Sequence, residues 1–190
     1  GKIRVYQDPD PTMVYAGPLV VMINSLSASA SEIVAAALQD YGRAVIVGSS
    51  SSYGKGTVQE MLDLDYLLDY FYPRAGAYKP MGALKLTIEK FYRINGGSTQ
   101  YKGVTSDVVL PDPYAYLEIS EQTLEYALPW DQVKPLNYQK WTEPLWELQE
   151  LKTRSARRIA ANPNFAAVQR YIEQVKAEKE QSLVSLQLDK

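Results

Sequence analysis

The chain has 190 residues, 46% of them apolar and 22% charged, with a formal net charge of −2. That length suits one domain of roughly 100–200 residues plus an appendage. The charge balance gives no nucleic-acid footprint, and no run of about 18 apolar residues is present to make a membrane-spanning helix.

Ile3-Arg-Val-Tyr6 patterns as a strand that is already under way at the first residue, so the chain reads as a piece of a longer protein, and no signal peptide is legible. Gln7-Asp-Pro-Asp-Pro-Thr12 is a turn-rich linker. Gly17–Asn24 is an apolar run that predicts a buried strand. Ser29–Asp40 predicts a helix closed by Gly42, and Arg43–Gly48 a second buried strand. Strand, turn, helix, strand is a βαβ unit, which requires parallel strands and a right-handed crossover. Ser29-x-x-Glu32 has the form of a capping box.

Ser49–Gly56 is a polar loop that leads into a strand at Thr57–Leu62. Residues 63–80 hold five aromatics and read as an irregular surface excursion. Gly82–Arg93 alternates apolar and polar residues, predicting a strand with one face on the core. Asn95-Gly96 signals a turn, Val104–Leu110 a short strand, and Pro111-Asp-Pro113 a boundary. Beyond it, Ala127–Asp131 reads as an aromatic docking segment. Two helices are predicted, from Thr142 as a cap to Ala161 and from Asn164 toward Leu188, broken by Asn162-Pro163. Arg154, Arg157 and Arg158 form a basic cluster that reads as a solvated helix face.

Cysteine and histidine are both absent. This removes thiol nucleophiles, disulfides and any Ser-His-Asp triad, and takes away the commonest metal ligand. A hydroxyl at a strand-to-helix turn, beside unpaired helix-start N–H groups, is placed for nucleophilic attack. Its base must then be a lysine or, less often, a carboxylate. Gly54-Lys55-Gly56 pins a lysine on backbone able to approach other backbone closely. A phosphate-binding P-loop fails here, because Ser49 stands where its first glycine belongs and Gly56 follows Lys55 in place of Ser or Thr. Lys55 would leave the same sheet edge as Ser29, and Gln59 matches it at period two as an uncharged orienting amide. Ser29 is otherwise only a helix cap, and Ser27 and Ser31 are the rival hydroxyls.

Ser27-Ala-Ser-Ala-Ser-Glu32, Gln39-Asp-Tyr-Gly-Arg-Ala44 and Gly54-Lys-Gly-Thr-Val-Gln59 resemble the C-terminal processing peptidases. Phe91–Gln100, Lys102-Gly-Val104 and Ala127-Leu-Pro-Trp-Asp131 resemble their tail-specific branch. The resemblance implies an α/β fold: a βαβ-containing mixed sheet, ClpP/crotonase-like, with residues 1–113 in the catalytic domain and 114–190 a helical C-terminal extension. It implies a serine endopeptidase with Ser29 as nucleophile, Lys55 as general base and Gln59 positioning Lys55. Ala30 N–H would supply half the oxyanion hole. Asp40 matches a carboxylate sometimes counted as catalytic, and a salt bridge to Arg43 is its bland alternative. The family's PDZ domain and the Gly-rich turn that completes the oxyanion hole are not found in this sequence. The 48–54 loop is about one residue longer than in relatives. No cofactor or metal is implied. The implied partners are polypeptides with apolar C-termini and a membrane-associated adaptor protein, with no nucleic acid, in the bacterial envelope or periplasm. The competing reading is a non-catalytic docking or scaffold module of an envelope protein.

Overall fold

Strand β1 (Val20–Ile23) leads through a turn into helix α1 (Ala30–Asp40), and the chain returns as β2 (Val45–Gly48). β1 and β2 are parallel, from Val20 opposite Val45 to Ile23 opposite Gly48. The short strand β5 (Val108–Val109) adds in parallel to the far side of β2, giving the order β1-β2-β5. These are features of a computed structural model that describes residues 9–74, 76–117, 119–141, 146–181 and 183. The expected strand Ile3–Tyr6 and the expected cap Thr142 lie outside them.

The core is small and sits under α1. Ala35 and Ala36 let the helix approach closely, and Ile23, Ala44, Ile46 and Val104 close around them. Gly48 is where the sheet has least room. Its φ is 143°, and a Cβ there would collide with the Ile23 carbonyl oxygen. β1 is less buried than its apolar run predicts: only Ile23 is buried, while Val20 and Met22 are exposed. Among the described residues nothing covers that outer face.

β3 (Thr57–Asp63) and β4 (Ala83–Lys90) form a separate antiparallel pair, with the register slipping by one residue between Val58 and Gln59. The expectation that β4 lays one face on the core is corrected here. Residues 83–89 are all exposed. Alternation reveals that two faces differ in polarity, not what lies against them. The excursion at 63–80 is also more regular than read. It contains helix α2 (Leu64–Phe71), capped by Asp63, whose carboxylate accepts from the N–H groups of Asp65 and Tyr66. Asp63 followed by Leu64, Leu67, Leu68 and Phe71 carries a cap and a 3.6-residue period that aromatic density masked.

The tail forms α3 (Leu148–Ala161) and α4 (Pro163–Glu180). Asn162 caps α4 through Asn164 N–H, and Pro163 occupies the first helical position, where no N–H is needed. Between the sheet and these helices, residues 119–141 run over the sheet-bearing half and bond to it. Trp130 Nε1 donates to Ser98 O at 2.9 Å, and Trp141 N–H donates to Tyr41 O at 2.8 Å. Among the described residues no helix is long and apolar enough to cross a membrane.

Candidate active site

Ser29 stands at the N-cap of α1 with φ 58° and ψ −116°. A non-glycine residue in that region is held there at a cost of about 1–3 kcal/mol, and only when its surroundings over-determine it. The turn before it supplies part of that constraint. Asn24 O accepts from Ser27 N–H and Asn24 Oδ1 from Leu26 N–H. The rival hydroxyls are used locally: Ser31 Oγ donates to Ala28 O at 2.9 Å, and Ser27 Oγ accepts from Asn24 N–H at 3.1 Å. Ser29 and Glu32 form the expected capping box at the first turn of α1. Ala30 N–H begins that helix, where no intrahelical acceptor exists.

The decisive group is Glu32. It is fully buried, and four donors converge on its carboxylate. Oε2 accepts from Ser29 N–H at 2.8 Å and from Lys55 N–H at 2.9 Å. Oε1 accepts from Gly54 N–H at 2.7 Å and from Ser52 Oγ. One oxygen therefore ties the backbones of Ser29 and Lys55 together. Burial pushes the Glu32 carboxyl above its ordinary value, with the four hydrogen bonds opposing. Ser52 is itself buried and accepts from Val104 N–H at 2.7 Å, while Tyr53 N–H donates to Ser27 O. The loop that carries Lys55 is thus stitched onto the serine turn along its length.

On its other side the loop is pressed against residues 98–103. Gly54 O accepts from Tyr101 N–H at 2.7 Å, and Gly56 N–H donates to Gln100 Oε1 at 2.8 Å. A Cβ on Gly56 would lie 2.4 Å from Gln100 N, and Gly54 has φ 96°. This is why both neighbours of Lys55 are glycine: one meets backbone and the other needs a left-handed conformation. Lys55 is half-buried, and among the described residues its Nζ is paired with no carboxylate.

The remaining expected site residues lie elsewhere. Asp40 is at the opposite end of α1, about 16 Å along the axis from Ser29 at 1.5 Å per residue. Its partner is not Arg43. Arg93 holds it bidentately, Nε to Oδ2 at 2.9 Å and Nη2 to Oδ1 at 2.7 Å, and Asn95 Nδ2 adds a bond at 3.0 Å. Arg43 instead donates to Tyr15 O and lies over the Tyr15 and Trp141 rings. Gln59 is exposed on β3, opposite Thr87. Lys55 precedes β3, with Gly56 between it and the strand, so a period-two count does not carry from Lys55 to Gln59, and no hydrogen bond joins them among the described residues. Sequence reasoning missed Ser52 and Gln100, and saw Glu32 only as a cap. The N3 glutamate was the available signal for one of its bonds, but the other three come from a loop about 20 residues on. A cavity of about 810 Å³ lies between the 49–53 loop, the 109–112 segment and α3–α4, and neither Ser29 nor Lys55 lines it.

A serine with positive φ at a strand-to-helix turn and a glycine-flanked lysine are thus bound by their backbone N–H groups to one carboxylate oxygen. The chain belongs to peptidase family S41, whose model matches residues 2–110, and residues 114–190 match the C-terminal domain of tail specific protease. The Tail-specific protease of Haemophilus influenzae is 39% identical over 188 residues, covering 97% of this chain and 26% of that protein. The Carboxy-terminal-processing protease of Bartonella bacilliformis is 44% identical over 96 residues, 50% of this chain and 19% of the relative. Among solved structures, a photosystem II D1 C-terminal processing protease is 33% identical over 50% of this chain and 21% of its own, with a TM-score of 0.40. The chain thus spans about a quarter of the length of the first of these relatives.

Proposed function

We propose that this chain carries the reacting centre of a serine endopeptidase that works through a Ser–Lys dyad. The observation that carries the reading is the shared Glu32 oxygen, which accepts from the N–H of Ser29 and of Lys55. Ser29 Oγ attacks the scissile carbonyl carbon while the neutral Lys55 amine takes its proton. The carbonyl oxygen becomes an oxyanion held by Ala30 N–H. The C–N bond then breaks, and Lys55 hands the proton to the leaving amine, which departs as the new N-terminus. Water, deprotonated by Lys55, hydrolyses the acyl-serine and frees Ser29. Gln59 is assigned the part of an amide that receives the lysine side chain as it turns on its stem. Asp40 is assigned no proton transfer: it braces the far end of α1 through Arg93. The substrates are proteins taken by their C-terminal tails, a reading supported by the name Tail-specific protease of the Haemophilus relative; that the tails are apolar and that the protein works in a bacterial envelope belong to the same proposal.

The test is cleavage of a peptide with an apolar C-terminus by the full-length protein carrying Ser29→Ala or Lys55→Ala. Each substitution is expected to lower kcat by about a thousandfold or more, and Ser29→Ala to abolish labelling by a fluorophosphonate probe. A Lys55→Ala protein that turns over at the parental rate would end the dyad assignment.

A further inference from the structure

Gln100 is fully buried, and every polar group of its side chain is in use. Oε1 accepts from Gly56 N–H at 2.8 Å, directly after the proposed base. Nε2 donates to Glu121 Oε1 at 2.9 Å and to Leu128 O at 3.1 Å. One end of the amide thus holds the base loop, and the other holds the segment that opens the C-terminal extension. Two further bonds run in parallel: Glu121 N–H donates to Tyr53 O at 2.9 Å, and Gln122 Nε2 to Tyr101 O at 2.8 Å. Residues 121–128 are therefore bonded directly to Tyr53, just before the 54–56 loop, and through Gln100 to Gly56.

A buried amide with satisfied partners can be mere packing. Gln100 differs because of what it separates. The loop has little slack: Gly56 has no room for a Cβ against Gln100, and Glu32 fixes Lys55 N–H from the other side. A shift of the 121–128 segment reaches Gly56 through two bonds and one rigid amide plane. Misplacement by about 1 Å at a reacting group can cost about a hundredfold in rate.

We propose that Gln100 is a positioning residue for Lys55, and that through it the docking of residues 121–128 sets whether the base is in place. This rests on the Ser–Lys reading above. The extension would then act as a governor of the catalytic loop, not only as a cover, and anything that lifts 121–128 would slow the chemical step.

The polarity of the amide gives the test in the full-length protein. Gln100→Glu keeps an acceptor for Gly56 N–H but turns an oxygen toward Glu121 Oε1 and Leu128 O, two acceptors. Glu121→Gln in the same protein returns a donor to that gap. The expected result is a kcat lowered about tenfold or more with KM within about twofold, and most of the loss recovered in the double variant. Hydrogen exchange of the 53–57 backbone should rise in the single variant and fall back in the double. Parental kcat in Gln100→Glu, or a loss the second substitution does not recover while the unfolding midpoint is parental, would overturn the coupling. Should Gln100→Glu not accumulate, Glu121→Ala takes its place: faster exchange at 53–57 with kcat lowered about threefold supports the proposal, and unchanged exchange sinks it. A Ser29→Ala control separates the two readings. If it still cleaves, the Ser–Lys assignment fails. If it is inert while Gln100→Glu is unaffected, only the coupling fails.

Discussion

Replacing Glu32 is the sharpest perturbation the site offers, because one side chain answers four donors. Glu32→Ala leaves the N–H groups of Ser29, Gly54 and Lys55 without their acceptor, and the Ser52 hydroxyl with them. An unmet buried donor costs about 1–3 kcal/mol, so the buried Gly54 amide and Ser52 hydroxyl alone sum to roughly 2–6 kcal/mol, and the half-buried Ser29 and Lys55 amides add to it. That is comparable with a whole domain's stability of about 5–15 kcal/mol. The base loop should therefore detach and activity vanish. Glu32→Gln is gentler, and its geometry can be worked out. Its carbonyl should take the Oε2 place, where both neighbours are amide donors with no alternative. Its NH₂ then faces Ser52 Oγ, which can accept, and Gly54 N–H, which cannot. The Gly54 amide and the Ser52 hydroxyl proton both lose their acceptor, so at about 1–3 kcal/mol each a loss of roughly 2–6 kcal/mol is expected, with kcat lowered about tenfold because Ser29 and Lys55 stay tethered. Urea unfolding of the full-length protein and steady-state peptide cleavage give both numbers. Parental stability and rate in Glu32→Ala would refute the view that this carboxylate holds the serine and lysine together.

Removing Arg93 should strand the buried Asp40 carboxylate with Asn95 as its remaining side-chain partner. Arg93→Ala is expected to cost about 3–5 kcal/mol in urea unfolding; a loss under about 1 kcal/mol would mean that Asp40 is solvated in solution. Gly56→Ala places a methyl 2.4 Å from Gln100 N, so cleavage should be lost even if the protein accumulates, and a fully active variant would contradict the close approach. The pH dependence follows from Glu32, whose folded carboxyl sits above its ordinary 4.5 because of burial. Its contribution to stability is full below that ordinary value and is lost as pH rises through the raised one. The stability gap between parent and Glu32→Gln should narrow over that rise, and a gap that widens would reverse the assigned direction.

Much of the architecture was legible residue by residue. The apolar runs around Ser29–Asp40 encode strand, helix, strand through local periodicity, and those elements form with β1 and β2 parallel. The absence of histidine reduced the choice of base to chemistry a sequence can show, and Gly-Lys-Gly marked the loop. Asp63 and the leucines after it also carried a helix, which the aromatic density around them obscured.

The fold alone decided which distant groups meet. Glu32 could be read as a cap because its bond to Ser29 spans three residues, whereas its bonds to Ser52, Gly54 and Lys55 span 20 or more. Asp40 chose Arg93, 53 residues away, over the nearby Arg43, which Tyr15 and Trp141 had already drawn to another surface. Gln100, which no local spacing marked, came to rest against the 54–56 loop. Local order is written in spacing because each turn or pleat constrains only a few residues. Contacts across 20 to 70 positions depend on how the finished layers pack, and no periodicity along the chain records that.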